Sequence, residues 1–232
     1  MVEQAVRLGE NLVRQVLELG VEGGGPLTGA VPVAEEHLLA ADRDRSEAER
    51  RLVATHLRLA AGSGFLTGVG GLALLPLTLP AAVAGRYVVA TRAAAGIAHL
   101  RGYDLVAEEV RTAVLVCLLG PEGDEALERA GVETGRWSRV TALGRAPAEV
   151  LAGIGREVGY RLVAKAGDRG VLGLSTLVPL VGGAVGAAAD VLACRAAATA
   201  AAGAFPALPP GTTVVEGEVV VPIEAPGQER SR

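Results

Sequence analysis

"GSGFLTGVGGLALLPLTLP", residues 62–80, decides how the rest of the chain is read. Gly62, Gly64 and Gly68 spell G-x-G-x-x-x-G, a variant of the loop whose backbone N–H groups cradle a dinucleotide phosphate. That loop needs a strand before its glycines, a helix directly after them and an acidic residue roughly 20 positions on. Here the amphipathic pattern "RRLVATHLRLAAG" comes first, a proline-broken apolar run follows, and the later position falls in "YVVATRAAA". No G-K-[ST] follows either, which argues against nucleotide and predicts packed, glycine-faced helices instead. The run has no charge between Arg58 and Arg86. Gly70, Gly71, Pro76 and Pro80 interrupt it, so one straight membrane-spanning helix describes it poorly.

Working outward, Ser46 and Glu49 form S-x-x-E, a capping box that opens the helix preceding the glycines. Further back, Pro32 suits the first position of "PVAEEHLLAA". Residues 2–19 stripe Val2, Ala5, Val6, Leu12, Val13, Val16 and Leu17 along one helical face, with Gly20 as the stop. Beyond the quoted stretch, Pro80 reads as the first residue of a long helix that Gly102 ends, and Asp104 or a neighbour opens "VAEEVRTAVLVCLL". A short helix, "DEALERA", and a less regular stretch with Trp137 lead to Pro147. "PAEVLAGIGREVGYRLVAKAG" stripes Val150, Leu151, Ile154, Val158, Arg161 and Leu162 and stops at Gly167. "VLGLSTLVPLVGGAVGAAADVLACRAAATAAAG" is charge-free between Arg169 and Asp190, and Pro179 divides it.

No strand–helix alternation runs through this order, so the expected class is all-α: a multi-helix bundle with Gly/Pro-broken apolar hairpins. Residues 1–205 read as a single helical domain. Residues 206–232 read as a disordered Pro/Gly-rich tail, in which the β-prone "VVEGEVV" reads as a solvated linker segment, with pairing to a sheet edge elsewhere as the alternative.

A net charge of −4 argues against nucleic acid as a partner. Half the residues are hydrophobic, yet they are mostly Ala, Val and Leu, with few of the Trp and Tyr residues that anchor proteins at lipid interfaces. Cys117 and Cys194 sit in apolar runs without C-x-x-C spacing, as buried thiols of a reducing compartment would. Glu3 and Arg7 interrupt the place where an export signal needs its apolar core, so the cytoplasmic side is expected.

No catalytic set assembles from spacing. His37 lacks the H-E-x-x-H arrangement, and His56 and His99 lie on helices with apolar neighbours. The serines have no G-x-S-x-G elbow. No catalytic, cofactor or metal residue is expected. An enzyme would need a polar pocket around His56, His99, Tyr103 and Asp104. Gly64/Gly68 and Gly182/Gly186 show small residues at four-residue spacing, which lets helix backbones approach closely in a bilayer or in an Ala-rich core. Arg86 and Asp190 fall on apolar helix faces. A buried ion must be paired, so Asp190 is predicted to pair with Arg86 or Arg92, joining the two most apolar segments.

The stretch "ATHLRLAAGSGFLTGVGGLALLPLTLPAAVAGRYVVATRAAAGIAHLRGYDL", followed by "EEVRTAVLVCLLG", resembles the bacterial EcsC family, and "GREVGYRLVAKAG" with "VPLVGGAVGAAAD" looks like its second block. The resemblance covers most of residues 50–205. It makes Thr67, Gly68, Gly70, Gly71, Pro76, Pro80, Arg92, Gly102, Tyr103, Asp104, Pro179, Gly182, Gly183 and Asp190 the informative structural or interaction positions. It implies a membrane-associated, non-enzymatic protein with a membrane lipid or membrane protein as partner. The alternative is a soluble helical interaction module, monomeric or dimeric, whose apolar hairpins are simply its core.

Overall fold

The computed structural model describes residues 2–69, 75–133, 138–172, 179–208, 213–215 and 218–220; Gly70, Gly71, Leu74 and Trp137 lie outside them. The described chain is all-α. Helix α1 is Val2–Leu17, followed by a π-helical turn at Glu18–Glu22 and a small antiparallel pair, β1 (Gly23–Gly24) with β2 (Leu27–Thr28). Then come α2 (Ala30–Ala40), α3 (Arg45–Val69), α4 (Leu75–Leu100) and α5 (Glu108–Cys117). A 3₁₀ turn at Gly120–Glu122 leads to α6 (Gly123–Arg129) and α7 (Arg139–Leu143). The last long helices are α8 (Ala148–Leu172) and α9 (Pro179–Ala204).

Helices α3, α4 and α9 pack together, with α3 and α9 in the most extensive contact of any pair. Helix α8 lies against α1 and α5. Leu52, Ile97, Val110, Val114, Leu143, Ile154, Val158, Leu162 and Phe205 are buried to within about 1% in one continuous core. Of the predicted α8 stripe, that core contains Leu151, Ile154, Val158 and Leu162; Val150 packs against it, and Arg161 turns to Glu157. Cys117 and Cys194 are both buried. Burial pushes their thiols up, Cys117 to about 12 and Cys194 to about 11, so both stay protonated at neutral pH.

Several boundaries differ from the sequence reading, each for a local reason. Gly20 does not end α1. The chain widens into the π turn, and Gly20 is packed so closely on Thr91 and Val88 that a Cβ there would lie 2.8 Å from the threonine side chain. Helix α2 opens at Ala30, two residues before Pro32. Helix α4 likewise opens at Leu75, so Pro80 lies inside it instead of at its start.

The Ser46/Glu49 capping box does not form. Asp44 takes the role instead, its Oδ1 accepting from the backbone N–H of Ser46 at 2.9 Å and of Glu47 at 3.0 Å. Glu49 is drawn away to Arg101. Asp104 accepts from the N–H of Val106 at 2.9 Å in a turn, and α5 begins only at Glu108. Helix α8 runs through Gly167 to Leu172. In the tail, Thr213–Val215 and Glu218–Val220 pair with each other antiparallel, so the described residues of "VVEGEVV" pair within the tail and not with a sheet edge elsewhere.

Candidate functional site

Two poles organise α3, α4 and α9. At the first, Arg101 in the turn after α4 holds Glu49 through two bonds of 2.9 and 2.7 Å. Its Nη1 donates to the carbonyls of Ala202 and Phe205, both at 2.7 Å. The guanidinium thus satisfies carbonyls that the end of α9 leaves open and ties the start of α3 to the ends of α4 and α9. Gly102, with φ +95°, lets the chain turn there. The N–H of Tyr103 donates to Ala98 at 3.1 Å and that of Gly102 to His99 at 2.9 Å, closing a Schellman motif. Tyr103 stacks at a tilt on Phe205, 5.1 Å between centroids, and its hydroxyl donates to the Pro206 carbonyl at 3.0 Å. Leu208 N–H donates to the Arg101 carbonyl. Pro206 and Leu208, which the sequence reading assigns to the tail, are thus bonded to the end of the bundle.

The second pole lies at the opposite ends of the same helices. Gly64 of α3 meets Gly186 and Ala187 of α9 so closely that a Cβ on Gly64 would sit 2.5 Å from the Gly186 carbonyl oxygen. Beside this crossing, Arg86 of α4 pairs with Asp190 of α9; the aspartate side chain is 5% exposed and the arginine 19%. The predicted pin is thus formed, and by Arg86.

Arg92 serves a different joint. Its Nε donates to His56 Nε2 at 3.1 Å, and its Nη1 to the Thr28 carbonyl at 3.2 Å, linking α4, α3 and the β1–β2 hairpin. His56 is fully buried. Its Nδ1 stands 2.8 Å from the Leu52 carbonyl, which can only accept, so Nδ1 carries the proton and Nε2 is the acceptor. Burial lowers its pKa to about 4, with the Arg92 guanidinium and His37 adding to the effect.

The candidate enzyme residues do not converge. His56 is engaged on both nitrogens, His99 bonds Glu35 at 2.7 Å, Tyr103 bonds Pro206, and Asp104 bonds Val106. A cleft of about 490 Å³ borders Arg101, but Ser46, Glu49, Arg50, Val53, Ala54 and Leu57 line the rest of it. Of those four candidates, none lies on its wall. Among the described residues no three of His, Cys, Asp and Glu group as metal ligands would.

The remaining predicted positions sit near the second pole. Thr67 and Gly68 lie in the last turn of α3, Pro76 and Pro80 in the first turns of α4, and Pro179 opens α9 with Gly182 and the buried Gly183 following. A second glycine crossing, Gly9 of α1 against Gly159 of α8, escaped the sequence reading. A Cβ on Gly159 would lie 2.6 Å from the Gly9 carbonyl oxygen. The available signal was weak: Gly9 is the single glycine of α1, but Gly159 is one of several in α8, and glycine inside a helix costs stability unless close approach requires it. Compared with known proteins, the chain matches no family model, and no curated protein or solved structure matches it significantly.

Proposed function

We propose that the protein is a non-enzymatic, membrane-associated helical protein of the EcsC type, held at the cytoplasmic face of the membrane by its second pole. The family part rests on the T-G-x-G-G, L-P, G-Y-D and P-L-V-G-G elements of the sequence. One structural observation supports the membrane part. The described helical parts of two charge-free runs far apart in sequence, 59–69 and 179–189, are brought together by the Gly64–Gly186 crossing, and the Arg86–Asp190 pair beside it joins α9 to α4. A bilayer would reward that distribution at about 25 cal/mol per Å² of whatever apolar surface it removes from water.

Fractionation tests the proposal. The protein is expected in the membrane pellet and in the floated fraction with vesicles. Recovery wholly in the soluble fraction, before and after a carbonate wash, would defeat it. The second reading, a soluble interaction module, draws on the outward face of α9, where Val185 is 57% and Leu192 66% exposed. It predicts a detergent-free, monodisperse protein whose mass by light scattering shows a monomer or a dimer and which does not float.

A further inference from the structure

Helix α9 carries two charges, Asp190 and Arg195. Asp190 is buried and taken by Arg86. Arg195 is exposed further along the helix, and no carboxylate among the described residues pairs with it. It borders a cleft of about 360 Å³ where the 3₁₀ turn after α5 and the start of α7 close on α9. Gly120 turns the chain there at φ +63°, so near to α9 that a Cβ on it would stand 3.3 Å from the Ala196 Cβ.

Arg139, the first residue of α7, lines the same cleft. Its side chain is 12% exposed, and its Nε donates to Asp124 Oδ1 at 2.7 Å. Nη1 is buried without a hydrogen-bond partner, and the neighbouring Cys117 thiol is a weak acceptor at best. A guanidinium holds its N–H donors in a fixed plane, so one carboxylate oxygen leaves most of them unmet. The cleft wall thus offers two cations and the Thr199 hydroxyl, and no acid. Even with Asp124 counted, it is net positive on a chain whose formal charge is −4. Leu192, Ala196 and Ala200 supply an apolar floor.

We propose that this cleft binds a small, free anionic amphiphile, its phosphate or carboxylate head on Arg139 and Arg195 and its apolar chain along α9. The planar guanidinium fork matches the oxygens of either head. Arg139 is largely removed from water, where a charge-assisted bond gains more than it does on an open surface. An apolar floor with a few placed polar groups is the usual make-up of a small-molecule site, and about 360 Å³ falls within the roughly 300–1,000 Å³ such sites span. Every α9 residue of the cleft lies past Asp190 towards Arg101, Thr199 by about 14 Å. The cleft therefore faces away from the end that the membrane reading sets at the bilayer, and its ligand comes from solution. Binding there needs no membrane.

Titration calorimetry of the intact protein tests the site, with octyl phosphate below its micelle concentration as the probe. Inorganic phosphate supplies the head alone, and octyl glucoside supplies the chain on a neutral head. Octyl phosphate is expected to bind at least about tenfold more tightly than either. Arg195→Gln, at an exposed position, should weaken it by about tenfold or more. Thr199→Asp, which sets a carboxylate beside Arg195, should act in the same direction. Arg14→Gln in α1, whose side chain bonds Asn11, makes the same change in net charge and should leave binding unaltered. Circular dichroism checks that each variant folds. Equal binding by the parent and Arg195→Gln would overturn the site. So would octyl glucoside or inorganic phosphate matching octyl phosphate, or no binding of octyl phosphate at all. Phosphatidylcholine vesicles carrying phosphatidic acid form the last arm and should float the parent and Arg195→Gln equally. Better flotation of the parent would assign the head to a bilayer lipid and overturn the free ligand.

Discussion

Asp190 and Arg86 show at single-residue scale what an apolar helix interface demands. Neither charge can be left in low dielectric alone, and together they join α4 to α9 with the aspartate nearly covered. Asp190→Ala is expected to lower stability by about 3 kcal/mol, because it strands Arg86. The double variant Arg86→Met/Asp190→Leu should lie within about 1 kcal/mol of the parent, since an apolar pair of similar bulk often replaces a buried ion pair without loss. Urea midpoints compare the three proteins. Were the single variant as stable as the parent, the pair would be decorative. His56 makes a pH-dependent contribution. Its folded pKa of about 4 lies below the ordinary 6.5, so the unfolded chain takes the proton first as pH falls. Stability from the neutral ring is therefore complete above about pH 6.5 and drains towards pH 4, by roughly 3 kcal/mol in all. His56→Gln should flatten that part of the stability–pH curve, and an unchanged slope between pH 6.5 and 4.5 would contradict the assignment.

At the scale of elements, glycine is used where helix backbones touch and is replaceable where they do not. A side chain on Gly64 would meet the Gly186 backbone, while Gly62, half a turn away, faces open space. Gly64→Ala is expected to cost about 1–3 kcal/mol through forced separation of α3 and α9. Gly62→Ala should instead stabilise by about 0.5–1 kcal/mol, because alanine gives up less backbone freedom on forming helix. Thermal unfolding of the two variants side by side would separate them, and equal effects would remove the case for close approach at Gly64. The same scale explains why the helix start at 45 was misread. Asp44 and Ser46 are both good caps, and Glu49 suits a capping box, but Glu49 finds a stronger partner in Arg101 across the bundle. Local preference proposed both; tertiary competition chose.

At the scale of the whole molecule, the net charge of −4 makes electrostatic capture by anionic lipid a poor explanation for attachment. Insertion of uncharged helix ends would be nearly indifferent to salt. The floated fraction is expected to change less than about twofold between low and near-molar salt, and not to rise when anionic lipid is added. Loss of flotation in high salt would point to a charged docking surface instead. The all-α class, the two uncharged runs, the division of the second run at Pro179 and the need for a partner at Asp190 were all legible from the sequence. Each of these follows from a short-range rule: helical periodicity, proline's missing N–H, or the cost of an unpaired buried ion. Only the tertiary structure decided that Arg86 takes Asp190 while Arg92 turns to His56, that Gly9 meets Gly159, and that Arg101 closes the first pole. Those choices depend on the rotation and register of helices joined by long stretches of chain, and side chains four residues apart on one face carry no information about which helix will face them.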